Sequence, residues 1–562
     1  MTGQPAPAPV VVPPLDSPSL TLGGFLREIT GRYGERIALV SRERQVTYAE
    51  LGQQAYLLAR ALVAAGVSRG TPVAVLAPNS VEWVATYFAV GLISAVLVPV
   101  NTFATAEERD YILRHSDAAV LLLMPEFLRH RYLEDLLERH PAIAQSVPGS
   151  LQIPELPFLR RIVSYQLLAP VPPGVQSFGE FVAAAAGVPE ALVEAMAASI
   201  HPADDAMIIY TSGTTARPKG VIHVQRPPVL QSWRFAEQLR LSPDDRIWSA
   251  YPYFWSAGMA MVIGGTLASG ATLIIEDHFD PAMALDTIER ERATILFAWP
   301  HQSAELAEEQ RRRPRDLSSI RRTANPSPLD AFLPNAAVED QLIAAFGLSE
   351  TFTIATSLPV DAPVALRRST HGLPLPGMEV RIVDPDTGEP LPQGQPGEIA
   401  VRGVTLMRGY AKTLPEHVFD RDGFFRTKDG GWIDEAGYLH WTGRISAMIK
   451  TGGANVSPLE IETALAQWGR LKTALAVGVP HPTLGEMVVL CAVRNEGDPV
   501  SEEEVQQYLR QRLAAYKVPR RVLFVASEDL SFTGNAKIQL QQLRELAVRL
   551  IRAEATAPSA SV

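Results

Sequence analysis

Apolar residues along this chain recur at two spacings, and the stretches that carry them alternate. Thr47-Tyr48-Ala49-Glu50 is a hydroxyl followed three residues on by an acid, a capping box. It predicts a helix with an apolar stripe of Leu51, Ala55, Leu58 and Leu62, ended by Gly66. Apolar runs at 73–76, 95–100 and 119–124 read as strands, with helices between them from Ser80 and over 107–115. That alternation is the mark of a parallel sheet wrapped by helices. From 125 to about 200 the pattern is broken by prolines at 141, 148, 154, 157, 170, 172 and 173, and no element is assigned there. It resumes with strands at 206–210, 246–250, 272–276 and 293–299, giving a second array packed on the first. Between 375 and 442 the period changes to two, around the turn Asp384-Pro385-Asp386-Thr387-Gly388, and predicts a small antiparallel unit. Beyond 444, Ser457-Pro458-Leu459-Glu460 and Ser501-Glu502-Glu503-Glu504 open helices that alternate with strands at 474–479 and 522–525.

The predicted fold is therefore α/β. A disordered lead (1–18) precedes a large N-terminal domain (19–444) of two βα-layered subdomains plus the β unit. A small α+β C-terminal domain (445–552) and a loose tail (553–562) follow.

The strand at 206–210 stops abruptly in Thr211-Ser212-Gly213-Thr214-Thr215-Ala216-Arg217-Pro218-Lys219-Gly220. Small residues let several backbone N–H groups converge, the hydroxyls add donors, and Arg217 and Lys219 add positive charge, a combination suited to a polyphosphate. It is not a Walker A loop, because no Gly precedes Lys219 and no Ser or Thr follows it. A solvated Ser/Thr/Gly loop would explain a shorter cluster. Further along stand Phe346-Gly347-Leu348-Ser349-Glu350, Lys428-Asp429-Gly430, Thr442-Gly443-Arg444 and Thr533-Gly534-Asn535-Ala536-Lys537. Taken singly, these read as a helix end, two turn charges and a surface lysine.

Taken in order, they resemble the signatures of the adenylate-forming enzymes: acyl-CoA synthetases, adenylation domains and luciferases. The likeness covers nearly the whole chain. It implies that Thr211, Ser212, Gly213, Thr214, Thr215 and Lys219 cradle the phosphates of ATP, with Phe346, Gly347 and Ser349 beside the base. Asp429 and Arg444 would hold the ribose, and Thr214 with Glu350 would hold Mg²⁺. Lys537 would be the catalytic lysine, acting together with Thr214 and Glu350. Tyr253, Phe254, Trp255, Gly258 and Leu348 would line the acyl pocket. Lys450, Gly452 and Gly453 would meet the pantetheine of CoA, and Ser446 would be the hinge of a mobile C-terminal domain. The chain departs from the family pattern at Ala216 and Ala536, where Gly is usual, at Ser446-Ala447 in the hinge, and at Lys428 in place of a Gly.

Two half-reactions follow from the resemblance: a carboxylate attacks the α-phosphate of ATP to give an acyl-adenylate and pyrophosphate, then a thiol displaces AMP. The carboxylate is already ionised, so the first step needs charge neutralisation and in-line placement rather than a base. Where amino-acid-activating members carry an Asp after the aromatic, this chain has Trp255-Ser256, which favours an apolar acid, whether fatty, aromatic or alicyclic.

Charge and composition narrow the partners. A net charge of −10 argues against nucleic acid or an anionic membrane surface. The most apolar stretch, 84–100, is short for a span and interrupted by Gly91 and Ser94, so no stable membrane insertion is expected. The single cysteine, Cys491, lies in an apolar run and reads as a buried strand residue; a cytoplasmic location fits. The leading expectation is an AMP-forming carboxylate–CoA ligase. The alternatives are a ligase that loads a carrier-protein pantetheine and a non-catalytic homologue, and whether the enzyme is a homodimer stays open.

Overall fold

The computed structural model describes residues 10–166, 170–211, 217–323, 328–333, 343–445, 449–456, 458–495, 497–526 and 540–556. The first array forms around the strands Pro72–Leu76, Val96–Pro99, Val120–Leu123 and Asp205–Thr211, which pair in parallel. Lys219–Val224 and Gly409–Tyr410 extend one edge antiparallel, and Arg161–Ser164 and Val175–Ser177 extend the other in parallel. These last two strands lie in the proline-broken region where the sequence predicted nothing. Each is at most four residues long, too short to leave a periodic signal.

The second sheet runs in the order Arg322–Thr323, Ile295–Phe297, Arg246–Ser249, Thr272–Ile275, Ile37–Val40, Gln45–Thr47. Its members are parallel except for the last pair. The helix Tyr48–Ala64 opens with the predicted capping box, in which Thr47 accepts from the Glu50 N–H and Glu50 from the Thr47 N–H. Every residue of helix Val81–Leu92 except Glu82 is buried. The predicted antiparallel unit is the sheet Met378–Val383, Gly397–Gly403, Phe425–Ile433, Leu439–Arg444. The expected disordered lead is shorter than its predicted end, because Val10, Val12 and Leu15 pack against the main core.

The C-terminal domain carries its own core. Leu471–His481 and Gly485–Arg494 form a long hairpin, Arg521–Phe524 adds in parallel, and helices Pro458–Trp468 and Glu502–Arg510 pack on one face. Cys491 is fully buried in it, and burial pushes its thiol up to about 12. The final helix, Leu540–Thr556, runs past the start of the predicted loose tail. Among the described residues no single helix is long and apolar enough to cross a membrane.

Candidate active site

The strand Asp205–Thr211 ends at the edge of a cavity of about 190 Å³. Tyr210, Thr211, Pro218, Ser349 and Trp255 line it from the large domain, and Gly453 and Lys517 from the small one. The chemistry therefore collects at the carboxyl end of a parallel sheet, where strand ends and loops converge. Ser212, Gly213, Thr214 and Thr215, expected at the phosphates, lie outside the described residues, as do Ala216, the hinge Ser446, Ala536 and Lys537. Lys219 begins the antiparallel return strand, its Nζ 4.8 Å from the centroid of the Tyr410 ring. Burial, and then the ammonium of Lys428, holds its pKa below the ordinary lysine value, with Glu350 acting in the opposite sense.

Glu350 is fixed from two sides. Tyr410 donates its hydroxyl to Oε1 at 2.6 Å, and the Met407 N–H donates to the Glu350 carbonyl at 2.7 Å. Beneath it, the buried His223 donates Nε2–H to the Ser349 carbonyl at 2.7 Å, and burial depresses its pKa to about 4. The chain leaves this turn through Phe352 at φ 49° and Thr353 at φ 92°, left-handed conformations that non-glycine residues avoid. Gln231 holds the strained segment by donating to the carbonyls of Thr351 and Ile354 at 3.1 and 2.6 Å. His223, Gln231 and Tyr410 were not legible beforehand, since none of them stands in a motif that marks it.

Mg²⁺ prefers one or two carboxylates completed by phosphate oxygens and water. Glu350, whose charge acts on Lys219, fits that donor set. Among the described residues no group of three or more His, Cys, Asp or Glu is placed to hold a metal by protein ligands alone. Asp429 is buried and accepts from the Trp441 indole N–H at 3.1 Å, and its backbone is directly opposite Arg444 across the sheet. Lys428 adopts φ 61°, the conformation a Gly would take freely at that position.

A second cavity, of about 640 Å³, adjoins the first. Trp255 and Trp299 line both, their ring centroids 6.3 Å apart, so the two indoles form a shared wall. Phe254 and the C-terminal domain's Gly452 line the larger space. Gly453 (φ 80°) sits directly on Trp299, where a Cβ would come within 2.5 Å of the ring. The expected close approach of the glycine pair is thus present, and it is made to an indole. Lys450 turns elsewhere, its Nζ 3.5 Å from the centroid of Trp441, so that one indole joins the small domain to Asp429.

Three expected contacts, Phe346, Tyr253 and Gly258, fall in the interior instead, and Gly347 and Leu348 also border neither cavity. Phe346, 7% exposed, faces the core from strand Ala344–Leu348 and borders neither cavity. Gly347 is there because a Cβ would meet the Thr353 carbonyl at 1.6 Å where the chain doubles back. Tyr253 packs edge-on against Trp83, centroids 5.6 Å apart, behind the pocket wall. Gly258 starts a buried helical turn that passes the Pro252 carbonyl, 2.1 Å from where a Cβ would stand. Leu348 is half-buried beside Ser349 and lines neither space.

Both domains of this chain have recognisable relatives. Residues 26–411 match the family described as AMP-binding enzyme, and residues 460–537 match its C-terminal domain. A 3-[(3aS,4S,7aS)-7a-methyl-1,5-dioxo-octahydro-1H-inden-4-yl]propanoyl:CoA ligase of Mycobacterium tuberculosis is 33% identical, covering 94% of this chain and 99% of its own. A feruloyl-CoA synthase of an Amycolatopsis species is also 33% identical, over 89% and 93%. Among solved structures, the amide bond synthetase McbA of Marinactinospora thermotolerans superposes with a TM-score of 0.75 at 30% identity, covering 93% of this chain and 99% of that one. With its large α/β domain, its small α+β domain and these matches, the chain belongs to the AMP-binding enzyme family and is an adenylate-forming enzyme of the acyl-CoA synthetase type.

Proposed function

We propose that the enzyme activates a bulky apolar carboxylic acid, aromatic or alicyclic, as its acyl-adenylate and passes the acyl group to the thiol of CoA. The observation that carries this reading is the pair of adjoining cavities. One is lined by Thr211, Pro218 and the small domain's Gly453, the other by the small domain's Gly452, and Trp255 and Trp299 stand between them. An acyl carbonyl at that wall is reachable by phosphate from one side and by a thiol from the other. The relatives named for a fused bicyclic propanoate and for ferulate support a cyclic acid, as does the aromatic lining.

In this scheme Lys219 and the loop N–H groups would bind and orient the triphosphate, and Glu350, pinned by Tyr410, would hold Mg²⁺. The metal when bound supplies positive charge to the phosphate oxygens. Asp429 holds the ribose hydroxyls. The indoles and Phe254 exclude water from the acyl carbonyl, which protects the adenylate from hydrolysis. Lys537 brings a further cation to the α-phosphate, worth about a hundredfold in rate for a well-placed group.

The deciding experiment is a panel of cyclic and straight-chain acids in ATP–pyrophosphate exchange. Free CoA, a holo-carrier protein or an amine is then added, and the product mass is read. Exchange with cyclic acids and a mass corresponding to the CoA thioester are expected. The likeness to an amide bond synthetase makes the amine arm informative, because an amide product would replace the thiol reading. Consumption of the adenylate by the holo-carrier alone would move the acceptor to a protein. No exchange with any acid would leave a non-catalytic homologue.

A further inference from the structure

Three charged side chains lie out of water where the two domains meet. Lys517, 3% exposed, stands in the turn after the helix Glu502–Arg510. Its Nζ donates to Glu460 Oε1 at 2.7 Å within its own domain and to Glu108 Oε1 at 2.8 Å in the large domain's helix Ala106–His115. The Glu460 side chain is 5% exposed and that of Glu108 11%. The other oxygen of Glu108 accepts from the Thr105 N–H at 2.8 Å and so caps its own helix. Around the three groups, the Thr105 hydroxyl reaches the Arg512 carbonyl at 3.3 Å, and the ring of Tyr516 meets Phe103 edge-on at 6.5 Å.

We propose that Lys517 is a positioning residue, an ionic catch that engages Glu108 and so fixes the small domain in the orientation that sets Gly452 and Gly453 against Trp299. The catch itself stands on geometry; its consequence for the thiol step rests on the acyl-CoA ligase reading. The Lys517–Glu460 pair lies within one domain and survives any rotation between the two. Glu108 belongs to the other domain and reaches Lys517 only while the two are docked in this way. Two carboxylates share one ammonium, which leaves a net negative charge in a dry place. Burial first, and then repulsion from Glu108, pushes Glu460 up to about 7 against the pull of Lys517. A buried ion pair gains little net stability once desolvation is counted, whereas removing its cation strands the remaining charges. The catch is therefore weak enough to open. When it does, Glu108 returns to water without losing its helix cap. An apolar residue at 517 leaves two carboxylates facing each other and disfavours docking.

The test uses the full chain carrying Lys517→Met, Glu108→Leu or Glu108→Gln. Gln keeps the size and a single acceptor oxygen, which serves either the cap or the ammonium, and it removes the charge. Spin labels go on Glu190→Cys and Glu503→Cys, both exposed positions, while the buried Cys491 stays inert. Lys517→Met and Glu108→Leu should broaden the interdomain distance distribution and lower CoA-dependent turnover about tenfold or more. Glu108→Gln should change in the same direction by less. Unchanged distances in both variants would overturn the catch. Should Lys517→Met fail to fold, Glu108→Leu, which alters only the large domain, decides. Should the parent transfer to no thiol at all, the ligase reading fails, and the distance measurement still judges the catch.

Discussion

Lys428 is the plainest case of a residue whose departure from the family pattern has a measurable cost. Its φ of 61° is strained by about 1–2 kcal/mol for a side chain with a Cβ, while a Gly there would give back about 0.5–1 kcal/mol in unfolded-chain entropy. Lys428→Gly should accordingly raise stability by about 0.5–1 kcal/mol, read from the denaturation midpoint of the large domain; a loss would show that its ammonium matters more than its backbone. His223 makes a second residue-scale prediction. Its folded pKa of about 4 lies below the ordinary 6.5, so above pH 6.5 both states hold it neutral. As pH falls from 6.5 toward 4 the unfolded chain gains a proton that the folded one refuses, and stability is lost, by about 2 kcal/mol between pH 7 and 5. Midpoints at the two pH values measure this, and His223→Gln should flatten the slope. Residue roles were legible from the sequence in type more than in direction. Gly453 lines the cavity beside Trp299, but Phe346, Tyr253 and Gly258 face the interior, because a motif records which residue is needed and not which side of the backbone it takes.

Elements with a strong local cause were readable in advance. The capping boxes at Thr47 and Ser501 start their helices where expected, because the side chain and backbone satisfy each other without help from the rest of the fold. The short parallel strands Arg161–Ser164 and Val175–Ser177 were not, because their partners are distant in sequence and their own periodicity is too brief to register. The two-residue strand Gly409–Tyr410 escaped for the same reason, yet it is what pins Glu350. A hydrogen bond to a charged group is worth about 1.5–3 kcal/mol. Tyr410→Phe should therefore lower pyrophosphate exchange about tenfold and raise the Mg²⁺ concentration needed for half-maximal rate. A Mg²⁺ requirement identical to the parent's would detach this strand from the metal.

At the scale of the molecule, the sequence announced two bodies but not how they meet. Glu108, Trp299, Gly453 and Lys517 come from four separate segments, and no local pattern links them. Gly453→Ala tests their junction, since the added methyl would press on the Trp299 ring. The thiol step should fall about tenfold with adenylation intact, and pairing the change with Trp299→Leu should restore part of the loss; an equal effect on both steps would mean that the turn serves the fold alone.

The indole partition at Trp255 and Trp299 has a consequence for selectivity. Because one wall bounds both chambers, an acid large enough to displace it would narrow the route by which a second reactant arrives. The upper size limit would then appear as wasted turnover rather than weak affinity. AMP should accumulate without matching thioester as the ring system grows, and an oversized acid would spend ATP while delivering its carbonyl to water.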